Sequence, residues 1–146
     1  MKVKEVMSKE VKSLSPEMSI REALNLLLQM GISGLPVIDA EEKLVGMFTE
    51  KEVLKVVLPS YWERVGKFVY DDNPKVIRKK IEELKNHKVA EVMRREVISV
   101  NEDTALCEVA RIMLTEKVRR IPVLDKDKKV VGIIAREDIV KAFVNE

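Results

Sequence analysis

His87 is the only histidine of the chain and Cys107 the only cysteine. A Cys–His nucleophile pair would have to use these two residues and nothing else. His87 lies between Asn86 and Lys88, and no acidic pair, glycine-rich phosphate loop or metal-ligand cluster stands near it or near Cys107. Neither is placed to carry catalysis, and the chain reads as a protein that is not an enzyme. A structural zinc site takes four nitrogen or sulfur ligands, which one His and one Cys cannot supply, so no metal is expected. No disulfide can form within the chain, which fits a reducing cytoplasm.

The remaining charge chemistry is balanced. Lys and Arg number 27 and Asp and Glu 25, giving a net charge of +2, with 36% of residues charged and 46% hydrophobic. Such a chain can bury a core, and its charge argues against a dedicated polyanion binder. The N-terminus carries recurring charge through Met1-Lys2-Val3-Lys4-Glu5 and no signal-peptide pattern. The longest uncharged run, Ala23 to Ile38, holds Asn25, Gln29, Gly31, Gly34 and Pro36 and is too short and broken to span a membrane. High Lys and Glu with a single Gln (Gln29) is a thermophile-like composition.

The elements that position these groups occur twice. At an offset of 86 residues, 17 of the 54 positions from Lys2 to Lys55 are identical to their counterparts, with no gap. Glu5-Val6-Met7 meets Glu91-Val92-Met93, Pro36-Val37 meets Pro122-Val123, and Val45-Gly46 meets Val131-Gly132. In the first copy Val11–Leu14 is a short β-prone segment. Ser19 with Glu22 three residues on is a capping box, and Ile20, Ala23, Leu24, Leu27 and Leu28 form a helical apolar stripe that Gly31 ends. Leu35–Ile38 and Leu44–Phe48 are strands about a polar turn. Thr49 caps a second helix from Glu50 to Leu58, with Glu52 again at the capping-box position. Val97–Val100, Leu106–Glu116, Ile121–Leu124, Val130–Ile134 and Glu137–Val144 fill the same slots in the second copy. The fold class is α+β: two β-α-β-β-α repeats, 1–57 and 88–146, with a helical insert over 58–87. A repeat of this size buries little surface alone, so the two are expected to share one core and neither to fold well by itself.

The insert offers helix starts at Pro59-Ser60 with Glu63 and at Asn73-Pro74, and a narrow stripe of Ile77, Ile81 and Leu84. It holds Tyr61, Trp62, Phe68 and Tyr70, which either cover an open edge of the core or form a dimer contact or lid. Its basic residues (Lys75, Arg78, Lys79, Lys80, Lys85, Lys88) read as a solvated helix face.

The ordered set of motifs, present twice, resembles a tandem pair of CBS (cystathionine-β-synthase) domains, a Bateman module. It rests on Glu5-Val6-Met7, Gly34-Leu35-Pro36-Val37-Ile38-Asp39 and Gly46-Met47-Phe48-Thr49-Glu50-Lys51-Glu52. In the second copy it rests on Glu91-Val92-Met93, Arg120-Ile121-Pro122-Val123-Leu124-Asp125 and Gly132-Ile133-Ile134-Ala135-Arg136-Glu137-Asp138. The resemblance implies repeats packed with pseudo-twofold symmetry and a cleft with two related sites for an adenine nucleotide or S-adenosylmethionine. It also implies a homodimer, and here a stand-alone module. The family's ribose motif pairs a hydroxyl with an aspartate one helical turn later. The first copy keeps the hydroxyl, Thr49, but has Glu52. The second keeps Asp138 but has Ala135. Thr49 and Glu52 read equally as a helix cap, and Asp138 as a partner of the helix dipole. Ala135 cannot cap, and the longer Glu52 would displace a ribose fitted to an aspartate, so Asp138 is the better ribose candidate. By resemblance, Arg119 and Arg120 reach phosphate, which suits guanidinium geometry. Lys12, Ile32, Val118, Met47 and Ile133 would face the base. Each pocket would draw on both copies: Asp138 with Glu10, Lys12, Ile32 and Ser33, and Thr49 with Ile98 and Val118.

Three functions follow from these residues. The first is a cytoplasmic module that senses an adenosyl ligand, with no required cofactor, and signals to an unidentified effector protein. The second is a dimerisation or interaction module whose half-kept motifs have decayed. The third, nucleic-acid binding through the insert and Arg119-Arg120, is disfavoured by the near-zero net charge, and no membrane is implied.

Overall fold

The computed structural model describes residues 1–58 and 74–145. The insert aromatics Tyr61, Trp62, Phe68 and Tyr70, and the helix start at Pro59-Ser60, lie outside the described residues. In chain order the elements are a 3₁₀ turn (Val3–Glu5), α1 (Ile20–Met30), β1 (Gly34–Ile38), β2 (Leu44–Thr49), α2 (Glu50–Val57), α3 (Pro74–Leu84), α4 (Val89–Val92), β3 (Val100–Asn101), α5 (Leu106–Glu116), β4 (Arg120–Leu124), β5 (Val130–Ala135) and α6 (Arg136–Val144). The alternation of small sheets and helices is the α+β class expected.

Local chemistry sets most of these ends. Ser19 Oγ accepts from the Glu22 N–H at 3.2 Å, opening α1. Gly31 closes it in the left-handed conformation at φ 64°, donating its N–H to Leu27 and Leu28. At the matching end of α5 stands Lys117, at φ 57°. Helix α3 begins at Pro74 and lays Ile77, Ile81 and Leu84 against a core. The β-prone segment Val11–Leu14 does not form a strand. Only Leu14 is buried in it, and it makes a single parallel bridge to Val37, its N–H donating to the Pro36 carbonyl at 2.9 Å. The counterpart β3 is likewise confined to Val100–Asn101, parallel to β4, which pairs antiparallel with β5.

The chain divides into two compact units that are not the two sequence repeats. One comprises Leu14–Val37 and Val45–Glu96; the other comprises Met1–Ser13, Ile38–Leu44 and Val97–Glu146. The core of the first unit holds Leu14, Ile20, Ala23, Leu27, Leu35, Val37, Phe48, Val53 and Val89. The core of the second holds Val100, Leu106, Val109, Met113, Ile121, Val123, Ile134, Ile139 and Val3. These nine positions match at the 86-residue offset, except that the Val3–Val89 pair is exchanged. Val3 lies in the leading segment of the first repeat and is buried in the core of the second unit; Val89 lies in the leading segment of the second repeat and is buried in the core of the first unit. The backbone repeats the exchange. Val3 and Lys4 donate N–H to the Thr104 and Glu102 carbonyls at 2.9 and 3.1 Å. Val89 and Ala90 donate to Met18 and Pro16 at 2.8 and 3.0 Å.

Candidate functional site

In each unit the last strand runs into the N-terminus of a helix, and the groups of interest sit at that junction. In the second unit β5 leads through Ala135 into α6. The preceding strand end is tied to it: Arg120 is the register partner of Ala135, and the Arg119 carbonyl accepts the Arg136 N–H at 2.9 Å. The first unit has the same frame, in which the Ser33 carbonyl accepts the Glu50 N–H at 2.9 Å.

The two junctions differ in what their carboxylates do. Thr49 does not cap α2 with its side chain. Its hydroxyl instead donates to Glu52 Oε1 at 2.7 Å. Glu52 is 4% exposed, with Lys55 Nζ at 3.8 Å from its other oxygen. Hydroxyl and carboxylate thus satisfy each other, because the longer Glu side chain reaches back to the threonine that a shorter acid would leave free. In the second unit Asp138 Oδ2 accepts the Ala135 N–H at 2.9 Å. The expectation that this helix has no cap is therefore corrected: the carboxylate caps it, with no side chain needed at Ala135. Among the described residues Asp138 Oδ1 has no hydrogen-bond partner, and Asp138 is half-buried.

A segment joined by a single antiparallel bridge lines each junction. Ser8 and Ile133 exchange two N–H···O=C bonds at 2.9 Å, and Met47 and Arg94 exchange two at 2.8 Å. The approach is so close that a Cβ on Gly132 would meet Met7 Sδ and lie 2.9 Å from the Ser8 carbonyl. One on Gly46 would lie 2.7 Å from Met93 Sδ. Glu10 and Lys12, just past Ser8, share the unit of Asp138 and are exposed. So are Arg119 and Arg120, while Ile98 and Val118 pack on that unit's core. Ile32, Ser33, Met47, Thr49 and Glu52 belong to the other unit, where Ile32 packs on the core and Ser33 is exposed. Hence Asp138 shares its unit with Glu10, Lys12, Arg119, Arg120, Ile133 and Ala135, whereas the expected pairings with Ile32 and Ser33, and of Thr49 with Ile98 and Val118, join residues of different units.

Two arginines escaped the sequence reading. Arg136 takes the position of Glu50 at the start of its helix, a difference visible once the offset is applied. Arg94 takes the position of Ser8, and its Nε is buried without a hydrogen-bond partner among the described residues. His87 and Cys107 are exposed; His87 Nδ1 lies 3.3 Å from Glu91 Oε1. Among the described residues no group of three or more His, Cys, Asp or Glu is placed to hold a metal ion, and no helix is long and apolar enough to cross a membrane.

The CBS domain model matches residues 3–59 and 89–145. The chain is 34% identical over 140 residues to the inosine-5'-monophosphate dehydrogenase of Methanocaldococcus jannaschii, spanning 96% of this chain but 23% of that protein. It is 33% identical over 135 residues to the chloroplastic CBS domain-containing protein CBSX1 of Arabidopsis thaliana, of which it spans 57%. Among solved structures it is similar to CBSX2 in complex with AMP (TM-score 0.75, 28% identity, 99% of this chain and 96% of that one). It is also similar to the CBS domain pair of protein MJ0100 in complex with 5'-methylthioadenosine and S-adenosyl-L-methionine (TM-score 0.68, 29% identity, 99% and 97%).

Proposed function

Since the chain belongs to the CBS-domain family, with a copy of the domain in each half, we propose that it is a regulatory module that binds an adenosine-containing ligand in a cleft between its repeats. Its repeats over 1–57 and 88–146 and its insert over 58–87 act as one module, cytoplasmic and without catalysis of its own. Occupancy is passed to a partner protein through a change in how the repeats pack, which requires that the ligand favour one packing over the other. One observation carries the reading: Asp138 holds its helix with Oδ2 and, among the described residues, keeps Oδ1 without a partner, at a junction whose backbone is tied to Arg119 and Arg120. A ribose hydroxyl can donate to that oxygen while guanidiniums take phosphate. The Thr49–Glu52 pair, closed on itself, makes the weaker site. Ligand-bound relatives support the class, since CBSX2 is described with AMP and MJ0100 with two adenosyl compounds.

The test is isothermal titration of the full chain with AMP, ADP, ATP and S-adenosylmethionine. At least one is expected to bind, and Asp138→Asn is expected to weaken it about tenfold while Glu52→Gln changes it less than about threefold. Absence of heat and of any thermal shift with all four would overturn the proposal, and the reverse order of the variants would overturn the choice of site.

A second reading, a dimerisation module, has its own observation. Exposed apolar residues recur at matched positions of the two copies: Leu28 and Leu114 are 74% and 72% exposed, Leu54 and Val140 53% and 56%. Repeated apolar positions on helix faces are what a homodimer would cover. Leu114→Glu is expected to shift the mass measured by light scattering from dimer to monomer; an unchanged mass would discard this face.

A further inference from the structure

The two junctions share a backbone frame and carry opposite charge. In both, a carbonyl at the strand end accepts the first N–H of the following helix at 2.9 Å, from Ser33 to Glu50 in one and from Arg119 to Arg136 in the other. Ser33, Gly34, Glu50, Lys51 and Glu52 together bear one negative charge. Their counterparts Arg119, Arg120, Arg136, Glu137 and Asp138 bear one positive charge. Of the four arginines of the second unit, Arg111 is paired, with Glu108, and Arg119, Arg120 and Arg136 have no acidic partner among the described residues. Asp138 is held by the Ala135 N–H, and the three arginines are exposed.

Resting on the adenosyl-ligand reading above, we propose that Arg136 is a specificity residue and that the second unit's junction selects a nucleotide with two or more phosphates. A terminal phosphate offers three acceptor oxygens, and two guanidiniums binding bidentately already match them. The guanidinium of a third arginine, Arg136, whose backbone is tied to Arg119 by one hydrogen bond, is surplus for a monophosphate and complementary to a second phosphate. It sits at the first residue of a nine-residue helix, whose dipole also favours anions. In the first unit Glu50 holds the same position, and its charge repels a phosphate chain. The two halves are therefore not equivalent: the second takes the polyphosphate chain and the first does not.

The experiment measures dissociation constants of adenosine, AMP, ADP and ATP for the full chain and for Arg136→Gln and Arg136→Lys, without added divalent cation. In the unsubstituted chain ADP and ATP are expected to bind about tenfold tighter than AMP, and AMP tighter than adenosine. Arg136→Gln is expected to bring ADP within about twofold of AMP while leaving AMP within about threefold of its original affinity; Arg136→Lys falls between, because the charge stays and the planar fork is lost. Arg136 is exposed, and matching melting curves check that the variants fold. An ADP-to-AMP ratio near one in the unsubstituted chain, or a ratio that Arg136→Gln leaves unmoved, overturns the inference while AMP binding keeps the adenosyl reading intact. Failure of every nucleotide to bind overturns this inference, and the adenosyl reading falls with it only if S-adenosylmethionine also fails to bind.

Discussion

A hydroxyl and a carboxylate that face each other cannot both face a ligand. Thr49 and Glu52 meet at 2.7 Å with Glu52 buried, so their first role is to satisfy a charge inside the fold. Thr49→Val keeps the volume and removes the donor. It is expected to cost about 1–3 kcal/mol in chemical denaturation, and Thr49→Ser to cost less, since it restores the hydroxyl. A melting point unchanged in the valine variant would show that Glu52 is held by something else. The αL positions give a second residue-scale expectation. Gly31 and Lys117 close equivalent helices at φ 64° and 57°, and no atom lies within 4 Å of where a Gly31 Cβ would be. Gly31→Ala therefore pays backbone strain alone, about 1 kcal/mol, and Lys117→Gly is expected to return a similar amount as a raised melting temperature. The sequence made Gly31 legible as a stop, because glycine advertises positive φ. It did not show that Lys117 adopts the same conformation, since lysine carries no such signal. It likewise placed Thr49 and Glu52 at capping-box spacing without revealing that the hydroxyl would turn to the carboxylate rather than to the backbone. The length of Glu over Asp decides that, and spacing does not record it.

At the scale of elements, the pieces that dock beside each core are very short, and charge holds their ends. Lys2 and Lys88 N–H groups donate to Glu5 and Glu91 carboxylates at 2.6 Å, which caps the 3₁₀ turn and α4 in the same way. Asp103 adds a tether to the first, with Lys4 Nζ at 2.9 Å and Lys2 Nζ at 3.5 Å. Its carboxyl is held below the usual range, first by the hydrogen bond from Lys4 and then by that lysine's charge. A carboxyl whose folded pKa is lowered contributes stability above its unfolded value, about 3.9, and loses that contribution as pH falls through the folded value. Asp103→Asn is thus expected to lower the melting temperature slightly at pH 7, less so in high salt, and to coincide with the unsubstituted chain at about pH 2. A difference that persists in acid would assign the effect to packing instead. Helix α1 was readable to within a residue at its ends because apolar period and caps agree there, and α5, β4 and β5 were readable as closely because the 86-residue offset carries the first copy's slots onto them. The segment at Val11–Leu14 was not, because β-prone residues without a partner for each N–H do not make a ladder, and only Leu14 finds one.

Across the whole molecule, the repeat in sequence and the unit in space are cut at different places. The offset revealed two copies, and it could not reveal that each copy's leading segment completes the core of the other. Identical residues at Val3 and Val89 fit either core equally well, so no sequence pattern distinguishes docking at home from docking across. The difference has a measurable consequence. If each segment served its own repeat, residues 88–146 alone would carry a full set of core positions. With the exchange, that fragment lacks Val3 and the hydrogen bonds from Val3 and Lys4 to Thr104 and Glu102, and it leaves Val89 with no core to enter. It is expected to show no cooperative melt, as is the fragment 1–57. In the full chain Val3→Ala and Val89→Ala are expected to cost about 2 kcal/mol each. Hydrogen exchange separates them: Val3→Ala loosens the amides of α5 and β4, and Val89→Ala those of α1 and β1. If Val3→Ala loosened α1 instead, or if residues 88–146 melted cooperatively on their own, each copy would be its own folding unit and the exchange would be dispensable. Because the leading segments also carry Met7-Ser8 and Met93-Arg94 along the last strands, the same exchange ties the wall of each junction to sequence from the opposite copy. A change at one leading segment is thereby expected to move the other copy's junction before its own.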